Sequence, residues 1–560
     1  MTYFPEIVFQ RSCSAPASLA YRFYQGSRQE VESLSFYALW EQAASLAYKL
    51  QSAGLTGQPV LLICKSQRHF VVAFFACLLS GCIAVPTAPP RRQSLLGRFQ
   101  LLTRDSQTRA IIADYEEGLS LDLMADGHPV STFDMRSLQG ESSASLALLA
   151  ARWSPPAITS DTIAFLQYTS GSTGDPKGVV VTHGNLVANC ASIQQAMALS
   201  AESVILTALP LFHDMGLIGG VLESMYVGCL ANCMSPVEFV QHPERWLHIM
   251  SSERITVSGG PNFMYELAAR TIKPEQLQGC DLSAWRVAFC GAEPIRSSTI
   301  ETFTQKFQDF GFRRQAFYPC YGMAESTLFI TGKIVDSDPV TCRLHDADVV
   351  GCGVPGLDTR VEIVDPDSCA RVTDGSIGEI WVAGSSVAQG YWMRPELTAH
   401  SFTARVHGDD DDDGVRYLRT GDLGYVSRGE LFVTGRLKDL IIAYGKKYAP
   451  HDLEDEAERS HPALCQSGGA AFSVTQQDAD RVVLVFELRR DWLRRHLEWD
   501  GILSAIRASV SANHGVALDE IVMIKPGSLP RTSSGKVRRA QCRSLYLAGT
   551  LERVAFPSAS

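Results

Sequence analysis

The stretch Tyr168-Thr-Ser-Gly-Ser-Thr-Gly-Asp-Pro-Lys-Gly178 decides the fold of this chain. It follows an apolar run typical of a buried strand, Thr162–Leu166, and it precedes a helical pattern from Leu186 to Met197. Glycines permit backbone conformations that point N–H groups inward, and the four hydroxyl groups of the stretch add donors. Lys177 adds a positive charge. The stretch therefore predicts a loop that binds phosphate oxygens.

This glycine loop is not a Walker A loop. A Walker A loop ends in Gly-Lys-Ser or Gly-Lys-Thr, whereas here Pro176 precedes Lys177 and Gly178 follows it. The difference argues against a kinase or a GTPase of the P-loop class. A polar surface turn is the other alternative, but eleven specified positions are hard to obtain by chance.

The overall composition is that of an ordinary globular protein. Of 560 residues, 46% are hydrophobic and 20% are charged. The net charge of −10 argues against generic nucleic-acid binding through a basic surface. The 15 cysteines include no CxxC pair, which argues against a zinc ribbon or a thioredoxin-like site, and free buried cysteines fit a reducing compartment.

Neither a signal peptide nor a membrane span is expected. The N-terminus lacks a basic region followed by an apolar one. The most apolar run, Phe70 to Val85, is interrupted by Gly81 and is shorter than the roughly 20 residues that span a bilayer. We interpret the run as a buried helix that leads into a strand, and we expect a soluble cytoplasmic protein.

The pattern along the chain predicts layered α/β units and a separate C-terminal module. Short β-rich apolar runs alternate with longer helical patterns, which is typical of α/β layers. Between Val350 and Tyr425 short strand candidates dominate, which indicates a β-rich subdomain. From Leu437 onwards the net charge is +2, against −12 for the preceding part, and this break predicts a domain boundary.

Five further motifs follow the glycine loop in a fixed order. They are Gly291-Ala-Glu-Pro294, Tyr321-Gly-Met-Ala-Glu-Ser326, Tyr417-Leu-Arg-Thr-Gly-Asp422, Gly435-Arg-Leu-Lys-Asp-Leu440 and Pro530-Arg-Thr-Ser-Ser-Gly-Lys536. Together with the loop they resemble the motifs of adenylate-forming enzymes, the superfamily of acyl-CoA synthetases, peptide-synthetase adenylation domains and luciferases. The resemblance extends from about residue 10 to residue 545.

The resemblance implies a two-domain α/β fold. A large N-terminal domain, residues 1–436, would consist of layered α/β subdomains and the β-rich subdomain at about 350–436. A small, mobile α+β cap, residues 437–560, would follow it. In the superfamily this cap pivots between an adenylating and a thiol-acylating pose, and Lys438 occupies the position of the pivot.

The resemblance also implies roles for residues in each motif. Glu325 would help to hold Mg²⁺, Asp422 would bind the ribose hydroxyls of ATP, and Lys536 would be the catalytic lysine. The phosphate, adenine and remaining nucleotide contacts would come from Thr169, Ser170, Gly171, Ser172, Thr173, Gly174, Lys177, Gly291, Ala292, Glu293, Pro294, Tyr321, Gly322, Met323, Ala324, Ser326 and Arg436. Arg436 could instead be a surface salt-bridge partner, although the nucleotide contact is favoured, and Lys536 taken alone could belong to a basic tail.

These residue types suit the activation of a carboxylate by ATP. A carboxylate oxygen attacks the α-phosphorus and pyrophosphate leaves, so two anions must approach and positive charge is required. A lysine suits this task because its ammonium group is a point charge on a flexible stem. The resemblance assigns that task to Lys536, and Asp422 is a natural acceptor for two hydroxyl groups.

Further details resemble fatty acyl-AMP ligases more than acyl-CoA synthetases. They are Leu166-Gln-Tyr-Thr-Ser170, Pro210-Leu-Phe-His-Asp-Met-Gly-Leu217, Gly259-Gly-Pro-Asn-Phe263 and Lys438-Asp-Leu-Ile-Ile442. Acyl-CoA synthetases commonly carry a Gly-Gly or Gly-Glu pair after the hinge, and Ala443-Tyr-Gly-Lys446 departs from it. Residues 331–351 occupy the place of the insertion that is thought to restrain the cap in the ligase branch.

The acyl pocket is predicted from small and apolar residues near these motifs, although ordinary core packing explains each of them equally well. The candidates are Phe212, Gly219, Gly220, Met225, Gly259, Gly260 and Phe263. His213 next to Asp214 looks like a catalytic dyad, but no G-x-S-x-G nucleophile motif accompanies it. We therefore place His213 among the catalytic residues only in a positional role, at the entrance for the acyl chain or the nucleotide.

The resemblance thus implies an ATP- and Mg²⁺-dependent fatty acid ligase. Its acceptor would be the phosphopantetheine thiol of a separate acyl carrier protein or of a polyketide or peptide synthase, because no carrier-like segment follows Lys536. An AMP-forming acyl-CoA synthetase is the first alternative. A non-catalytic regulator that binds acyl-adenylate is the second.

Overall fold

The computed structural model describes residues 2–25, 30–89, 96–115, 124–125, 128–169, 176–344, 347–407, 414–443, 446–476, 479–493, 498–532 and 535–554. Two large sheets dominate the N-terminal part. The nine-stranded sheet runs in the order Val354–Pro355, Phe329–Gly332, Phe317–Gly322, Val287–Cys290, Val257–Gly260, Val204–Thr207, Leu230–Met234, Leu19–Gln25 and Glu30–Ser35. Its six inner strands are mutually parallel, and the outer ones pair antiparallel.

The second sheet has six strands, in the order Lys177–Thr182, Ile163–Thr169, Ile83–Pro86, Pro59–Ile63, Ala110–Ala113 and Ser131–Asp134. Every residue of its three central strands is buried. A parallel sheet that is covered on both faces requires such continuous apolar strands. The helices that cover the sheets pack in the same large core, so both sheets belong to one layered α/β body.

The most apolar run of the sequence forms a helix and a strand, as predicted. The helix Gln67–Ser80 is almost entirely buried, and the side chain of Ser66 accepts a hydrogen bond from the His69 N–H group at its start. The helix ends at Gly81, whose left-handed φ of 70° suits glycine, and the strand Ile83–Pro86 follows. No helix in the described part of the chain is both long and apolar enough to span a membrane.

A four-stranded antiparallel sheet forms the β-rich part that the sequence predicts. Its strands are Thr359–Val364, Gly378–Gly384, Leu418–Ser427 and Glu430–Arg436. The last strand ends at Arg436, and the 3₁₀ turn Leu437–Asp439 follows it directly.

The C-terminal part has its own apolar core and an α+β composition. Its three-stranded sheet runs in the order Leu464–Gln476, Ala479–Leu488 and Glu520–Ile524. The helices Pro450–Ser460 and Trp499–His514 contribute buried residues to the core, and the helix Arg539–Leu547 packs on the other face of the sheet. We call residues 437–554 the cap.

The remaining elements are shorter or peripheral. Among the described residues the other α-helices are Phe4–Ser14, Phe36–Ser52, Leu96–Ser106, Met135–Gln139, Ser143–Ala150, His183–Ala196, Asp214–Gly216, Glu223–Val227, Pro236–Gln241, Pro243–Ser252, Asn262–Thr271, Ser297–Phe307 and Pro395–Phe402. Leu217–Leu222 is a π-helix, and Pro274–Leu277, Gln308–Phe310, Arg314–Ala316 and Ala324–Ser326 are 3₁₀ turns. Two-stranded ribbons pair Met124–Ala125 with His128–Pro129, Thr341–Leu344 with Ala347–Val350, and Ile441–Ala443 with Lys446–Tyr448.

Candidate active site

The predicted site residues gather at one edge of the nine-stranded sheet. Four neighbouring parallel strands end there, and a motif lies at or just beyond the carboxyl end of each. These motif segments are residues 212–214, 261–263, 291–294 and 321–326. Open α/β sheets bind ligands in the crevice outside the carboxyl ends of their strands, so this edge is the natural place for a site.

The glycine loop lies between two antiparallel strands. Thr169 ends one strand, Lys177 begins the other, and the two residues face each other in the ladder. The second strand, Lys177–Thr182, is a difference from the sequence prediction, which had no strand between the loop and the helical pattern that begins at Leu186. Its buried valines explain it, because β-branched side chains suit a covered strand. The loop residues Ser170, Gly171, Ser172, Thr173 and Gly174 lie outside the described residues.

Lys177 and Glu325 contact the same tyrosine. The Lys177 ammonium nitrogen lies 5.4 Å from the centre of the Tyr391 ring, and the Tyr391 hydroxyl donates a hydrogen bond of 2.9 Å to Glu325 Oε1. The backbone of Gly390 and Trp392 pairs with the loop strand and fixes the tyrosine there. Burial raises the pKa of Glu325, and the bond from Tyr391 partly opposes this shift.

Lys177 has charged neighbours of both signs, Lys438 and Glu325. Burial lowers the pKa of Lys177, the charge of Lys438 lowers it further, and Glu325 works in the opposite direction. Lys438 lies in the 3₁₀ turn Leu437–Asp439 that begins the cap, and it is exposed. The predicted hinge lysine is therefore an electrostatic neighbour of the predicted phosphate-binding lysine.

A second cluster surrounds Asp422. Its buried carboxylate accepts a hydrogen bond of 2.8 Å from the Tyr321 hydroxyl at Oδ2 and one of 2.9 Å from Arg436 Nε at Oδ1. Asp422 and Arg436 are directly opposed on neighbouring strands, which sets this geometry. The pKa of Arg436 is raised, and the negative charge of Asp422 is the largest cause. The sequence left two roles open for Arg436, a salt-bridge partner or a nucleotide contact. In the structure Arg436 forms a salt bridge with the buried carboxylate of Asp422.

Lys536 reaches this second cluster from the cap. Burial lowers the pKa of Lys536, and the charge of Arg436 lowers it further, while Asp214, Glu293 and Asp422 raise it. The backbone N–H group of Lys536 donates a 3.0 Å hydrogen bond to Thr532 Oγ1. The ammonium group of this cap residue therefore lies in a field of mixed sign that charged groups of the N-terminal domain create.

Glu293 connects two of the strand-end motifs. Its carboxylate accepts a 2.6 Å hydrogen bond from the backbone N–H group of Phe263, and burial raises its pKa. Gly291 lies close to the next strand, since a Cβ atom there would be 2.8 Å from the carbonyl oxygen of Cys320. Ala292 has a left-handed φ of 69°. These constraints shape the backbone of the predicted adenine-contacting segment, which ends at Pro294.

The core motif 321–326 is a strand end followed by a tight turn. Gly322 has no room for a side chain, because a Cβ atom would lie 1.8 Å from the carbonyl oxygen of Leu328. Met323 is half-buried, Ala324 and Ser326 are buried, and the turn Ala324–Ser326 leads to Thr327 with φ of 64°.

The predicted acyl-pocket residues divide into two groups. Phe212, Gly219 and Phe263 are half-buried. The other four, Gly220, Met225, Gly259 and Gly260, are buried. A Cβ atom would lie 2.9 Å from Thr207 at position 220, 2.0 Å from the carbonyl oxygen of Phe289 at position 259, and 2.3 Å from Met264 Sδ at position 260. Core packing alone therefore accounts for the glycines at these three positions.

His213 lies beside the half-buried group. Its ring centre is 4.9 Å from that of Phe212, and Gln167 Nε2 donates a 3.1 Å hydrogen bond to the Phe212 carbonyl oxygen. Asp214 Oδ1 accepts a hydrogen bond from the Met215 N–H group. The π-helix Leu217–Leu222 follows at once, and such helices occur frequently at functional sites.

Sequence reasoning missed Tyr391 and the role of Asp214. The signal for Tyr391 is only the triplet Gly390-Tyr-Trp392, which no periodic pattern distinguishes. Asp214 was considered only as a partner of His213, whereas its charge acts on Lys536 across the domain interface.

Comparison with known proteins identifies the family. The model of the family described as AMP-binding enzyme matches residues 9–392. The chain belongs to the AMP-binding enzyme family. A second model, described as the AMP domain of Disco-interacting protein 2-like proteins, matches residues 438–555. The resemblance to adenylate-forming enzymes is thus confirmed, and membership of this family implies ATP as a substrate.

Relatives within the AMP-binding enzyme family match over nearly the whole chain. A medium-chain-fatty-acid–[acyl-carrier-protein] ligase of Moorena producens, JamA, is 38% identical, with 98% of this chain and 95% of the relative covered. The corresponding ligase TtuA of Teredinibacter turnerae is 34% identical, with 94% and 91% covered. A fatty acyl-adenylate ligase of Legionella pneumophila, solved with acyl adenylate and pyrophosphate, has a TM-score of 0.74 at 35% identity, with 99% and 97% covered.

The space around Gly259 is much smaller than the space around Gly219, and this difference gives a test of the described packing. Gly259→Ala should destabilise the protein by about 3 kcal/mol or more, since the new methyl group would overlap the Phe289 carbonyl oxygen. Gly219→Ala should change stability by less than about 1 kcal/mol, because the nearest atom, Leu328 Cδ2, lies 3.6 Å away and the site is helical. Thermal unfolding of the two variants beside the parent measures this. Equal shifts in the melting temperature would contradict the described packing.

Proposed function

We propose that this protein is an ATP-dependent fatty acid ligase that works in two steps. A fatty acid is first converted to acyl-AMP with release of pyrophosphate, and the acyl group then passes to the phosphopantetheine thiol of a separate acyl carrier protein. The observation that carries the proposal is the position of Lys536, on the cap, next to Asp422 and Arg436 of the N-terminal domain. The names of the curated relatives support a medium-chain acid and a carrier-protein acceptor.

The nucleoside would bind at Asp422. Each carboxylate oxygen accepts one protein hydrogen bond and keeps a second lone pair, so Asp422 can accept two ribose hydroxyls without releasing Tyr321 or Arg436. The two protein donors fix the orientation of the carboxylate before ATP arrives. The adenine would lie against the segment Gly291–Pro294 and the turn after Tyr321.

The phosphates would lie between the glycine loop and Glu325. Thr169, the loop residues 170–174 and the Lys177 ammonium group would contact phosphate oxygens. Glu325 fits Mg²⁺, since this ion is usually held by one or two carboxylates together with substrate phosphates, and the hydroxyl of Tyr391 orients the carboxylate. When bound, Mg²⁺ would neutralise phosphate charge.

In the first step an oxygen of the fatty acid carboxylate would attack the α-phosphorus of ATP. A bond forms between this oxygen and the phosphorus, the bond to the bridging oxygen of the β-phosphate breaks, and pyrophosphate leaves. Lys536 would reduce the repulsion between the two anions, and Lys177 would stabilise the leaving group. Phe212, Gly219 and Phe263 would contact the acyl chain, and His213 would shape the entrance to its site.

In the second step the carrier thiolate would attack the acyl carbonyl carbon. The bond from carbon to the AMP oxygen breaks, AMP leaves, and the thiol proton passes to solvent. The described arrangement, with Lys536 at the site, suits the first step. We propose that the cap, which begins after the boundary between residues 436 and 437, turns about Lys438 for the second step.

An AMP-forming acyl-CoA synthetase is the second candidate, because some relatives of the chain are named as putative fatty-acid–CoA ligases. The departure from the glycine pair after the hinge, at Ala443-Tyr-Gly-Lys446, favours the carrier protein. A non-catalytic regulator would require the loss of active-site groups, and Lys536, Glu325 and Lys177 are all present. We also propose a cytoplasmic location, where ATP is available and thiols remain reduced.

The choice of acceptor can be measured directly. Purified protein with ATP, Mg²⁺ and radiolabelled decanoic acid should accumulate decanoyl-AMP and transfer the acyl group to a phosphopantetheinylated carrier protein. With free coenzyme A in place of the carrier, transfer should be at least about 100-fold slower. This ratio corresponds to an activation barrier that is higher by about 2.8 kcal/mol. Rapid acyl-CoA formation without accumulation of acyl-AMP would contradict the assigned acceptor.

The lowered pKa of Lys536 predicts an alkaline limit for the first step. The ammonium form is needed, and burial favours the neutral form, so kcat/KM for pyrophosphate release should fall as pH rises through a pKa below the ordinary lysine value. Lys536→Arg should shift this limit to higher pH, because a guanidinium does not titrate in the range.

Removal of the Lys536 amine should slow the first step more than Lys536→Arg does. Lys536→Ala should lower the rate of pyrophosphate release by roughly 100-fold or more, as expected for the loss of a transition-state electrostatic contact. Transfer from synthetic decanoyl-AMP to the carrier should be nearly unchanged. An unaltered rate of pyrophosphate release in Lys536→Ala would contradict the assigned role.

A further inference from the structure

One arginine of the N-terminal domain contacts two carboxylates of the cap. Arg296 lies just before the helix Ser297–Phe307. Its guanidinium forms an ion pair with Asp455, and its Nη1 atom lies 3.6 Å from Glu458 Oε2. Both carboxylates belong to the cap helix Pro450–Ser460. We call Arg296, Asp455 and Glu458 the interdomain cluster.

Arg296 is held in place from its own side of the interface. Its backbone N–H group donates a 3.1 Å hydrogen bond to Asn262 Oδ1, and its guanidinium lies 3.4 Å from Glu266 Oε1. Glu266 is itself fixed by hydrogen bonds from the side chains of Asn262 and Thr299. Groups of the N-terminal domain therefore help to orient the guanidinium that contacts the cap.

The three side chains of the interdomain cluster are each partly buried. The exposed side-chain fractions are 23% for Arg296, 30% for Asp455 and 19% for Glu458. Partly buried ion pairs are screened less by water and salt than exposed ones. One guanidinium faces three carboxylates, counting Glu266, so its removal would leave negative charges of both domains facing each other. The contact therefore changes from attraction to repulsion when this one side chain is lost.

The interdomain cluster adjoins the segment that presents Lys536. Arg296 lies three residues after Glu293, whose carboxylate holds the Phe263 N–H group. A Cβ atom on Gly535, which has a left-handed φ of 87°, would lie 3.4 Å from the Phe263 ring. Gly535 directly precedes Lys536, so Glu293 connects Phe263, which faces the Lys536 segment, to the short stretch that carries Arg296.

We propose that Arg296 is a positioning residue that holds the cap over the site during the first step and so delivers Lys536 to it. Arg296 touches neither reacting group and acts through the position of the cap. The proposal rests on the proposed two-step function. Because the second step requires the cap to turn, Arg296 should support acyl-AMP formation selectively.

The two half-reactions separate this role from a merely structural one. Arg296→Ala should lower the rate of decanoyl-AMP formation by roughly 10–100-fold, the range expected from removing one partner of a partly buried pair. Transfer from synthetic decanoyl-AMP to the carrier should remain within about twofold of the parent rate, because this step does not use the cluster. Arg296→Lys keeps the charge and should recover a substantial part of the first step.

A matched control is available on the surface of the same domain. Arg286 pairs with Asp336 at 3.4 Å, and both side chains are about half exposed. Arg286→Ala should therefore leave both half-reactions unchanged.

A readout without substrate makes the test independent of the proposed function. Hydrogen–deuterium exchange of the amides in residues 450–460 and 262–271 should be faster in Arg296→Ala than in the parent, and unchanged in Arg286→Ala. If the parent forms no decanoyl-AMP, the proposed function fails, and the exchange experiment still decides whether the contact holds the cap. Equal losses in both half-reactions, or unchanged exchange at both surfaces in Arg296→Ala, would overturn the proposal.

Discussion

The Asp422 carboxylate is held by two donors from different elements, Tyr321 at the edge of the nine-stranded sheet and Arg436 at the end of the four-stranded sheet. A buried carboxylate is costly unless it is paired and hydrogen-bonded, so this geometry ties the two sheets to one orientation. It also leaves Arg436 as a fixed positive charge beside Lys536. The assembly of the proposed nucleotide site depends on this one constraint.

The charge distribution explains how an acidic domain can bind an anionic nucleotide. The N-terminal part carries −12 overall, yet Lys177 has Lys438 as an electrostatic neighbour, and Lys536 has Arg436. Local fields at short range outweigh a diffuse negative surface that salt screens. Two of these four cations, Lys438 and Lys536, belong to the cap, so the charge of the site depends on where the cap lies. The proposed role of Arg296 follows from the same dependence, since it controls the position of the cap from outside the site.

Much of this was predictable from the sequence, for identifiable reasons. The apolar run 70–85 predicted a buried helix and strand because nearly every position is apolar and Gly81 marks the turn. The ordered motifs predicted the family. The strand Lys177–Thr182 was missed because a short strand next to a loop has little periodicity. Tyr391, the orientation of Asp214 and the interdomain cluster were missed because they depend on contacts between residues far apart in the chain. The glycines at 220, 259 and 260 show the converse, since small residues that suggested a pocket are required by packing.

In the proposed mechanism the closed cap delivers Lys536 to a nucleotide held by Asp422. A crystal structure with decanoic acid and the α,β-methylene analogue of ATP, which cannot release pyrophosphate, would test this mechanism. We expect the ribose hydroxyls on Asp422, with the bonds from Tyr321 and Arg436 retained, and the Lys536 ammonium group between the fatty acid carboxylate and the α-phosphate. A nucleoside bound elsewhere, or a cap that turns Lys536 towards solvent while both ligands are bound, would contradict it.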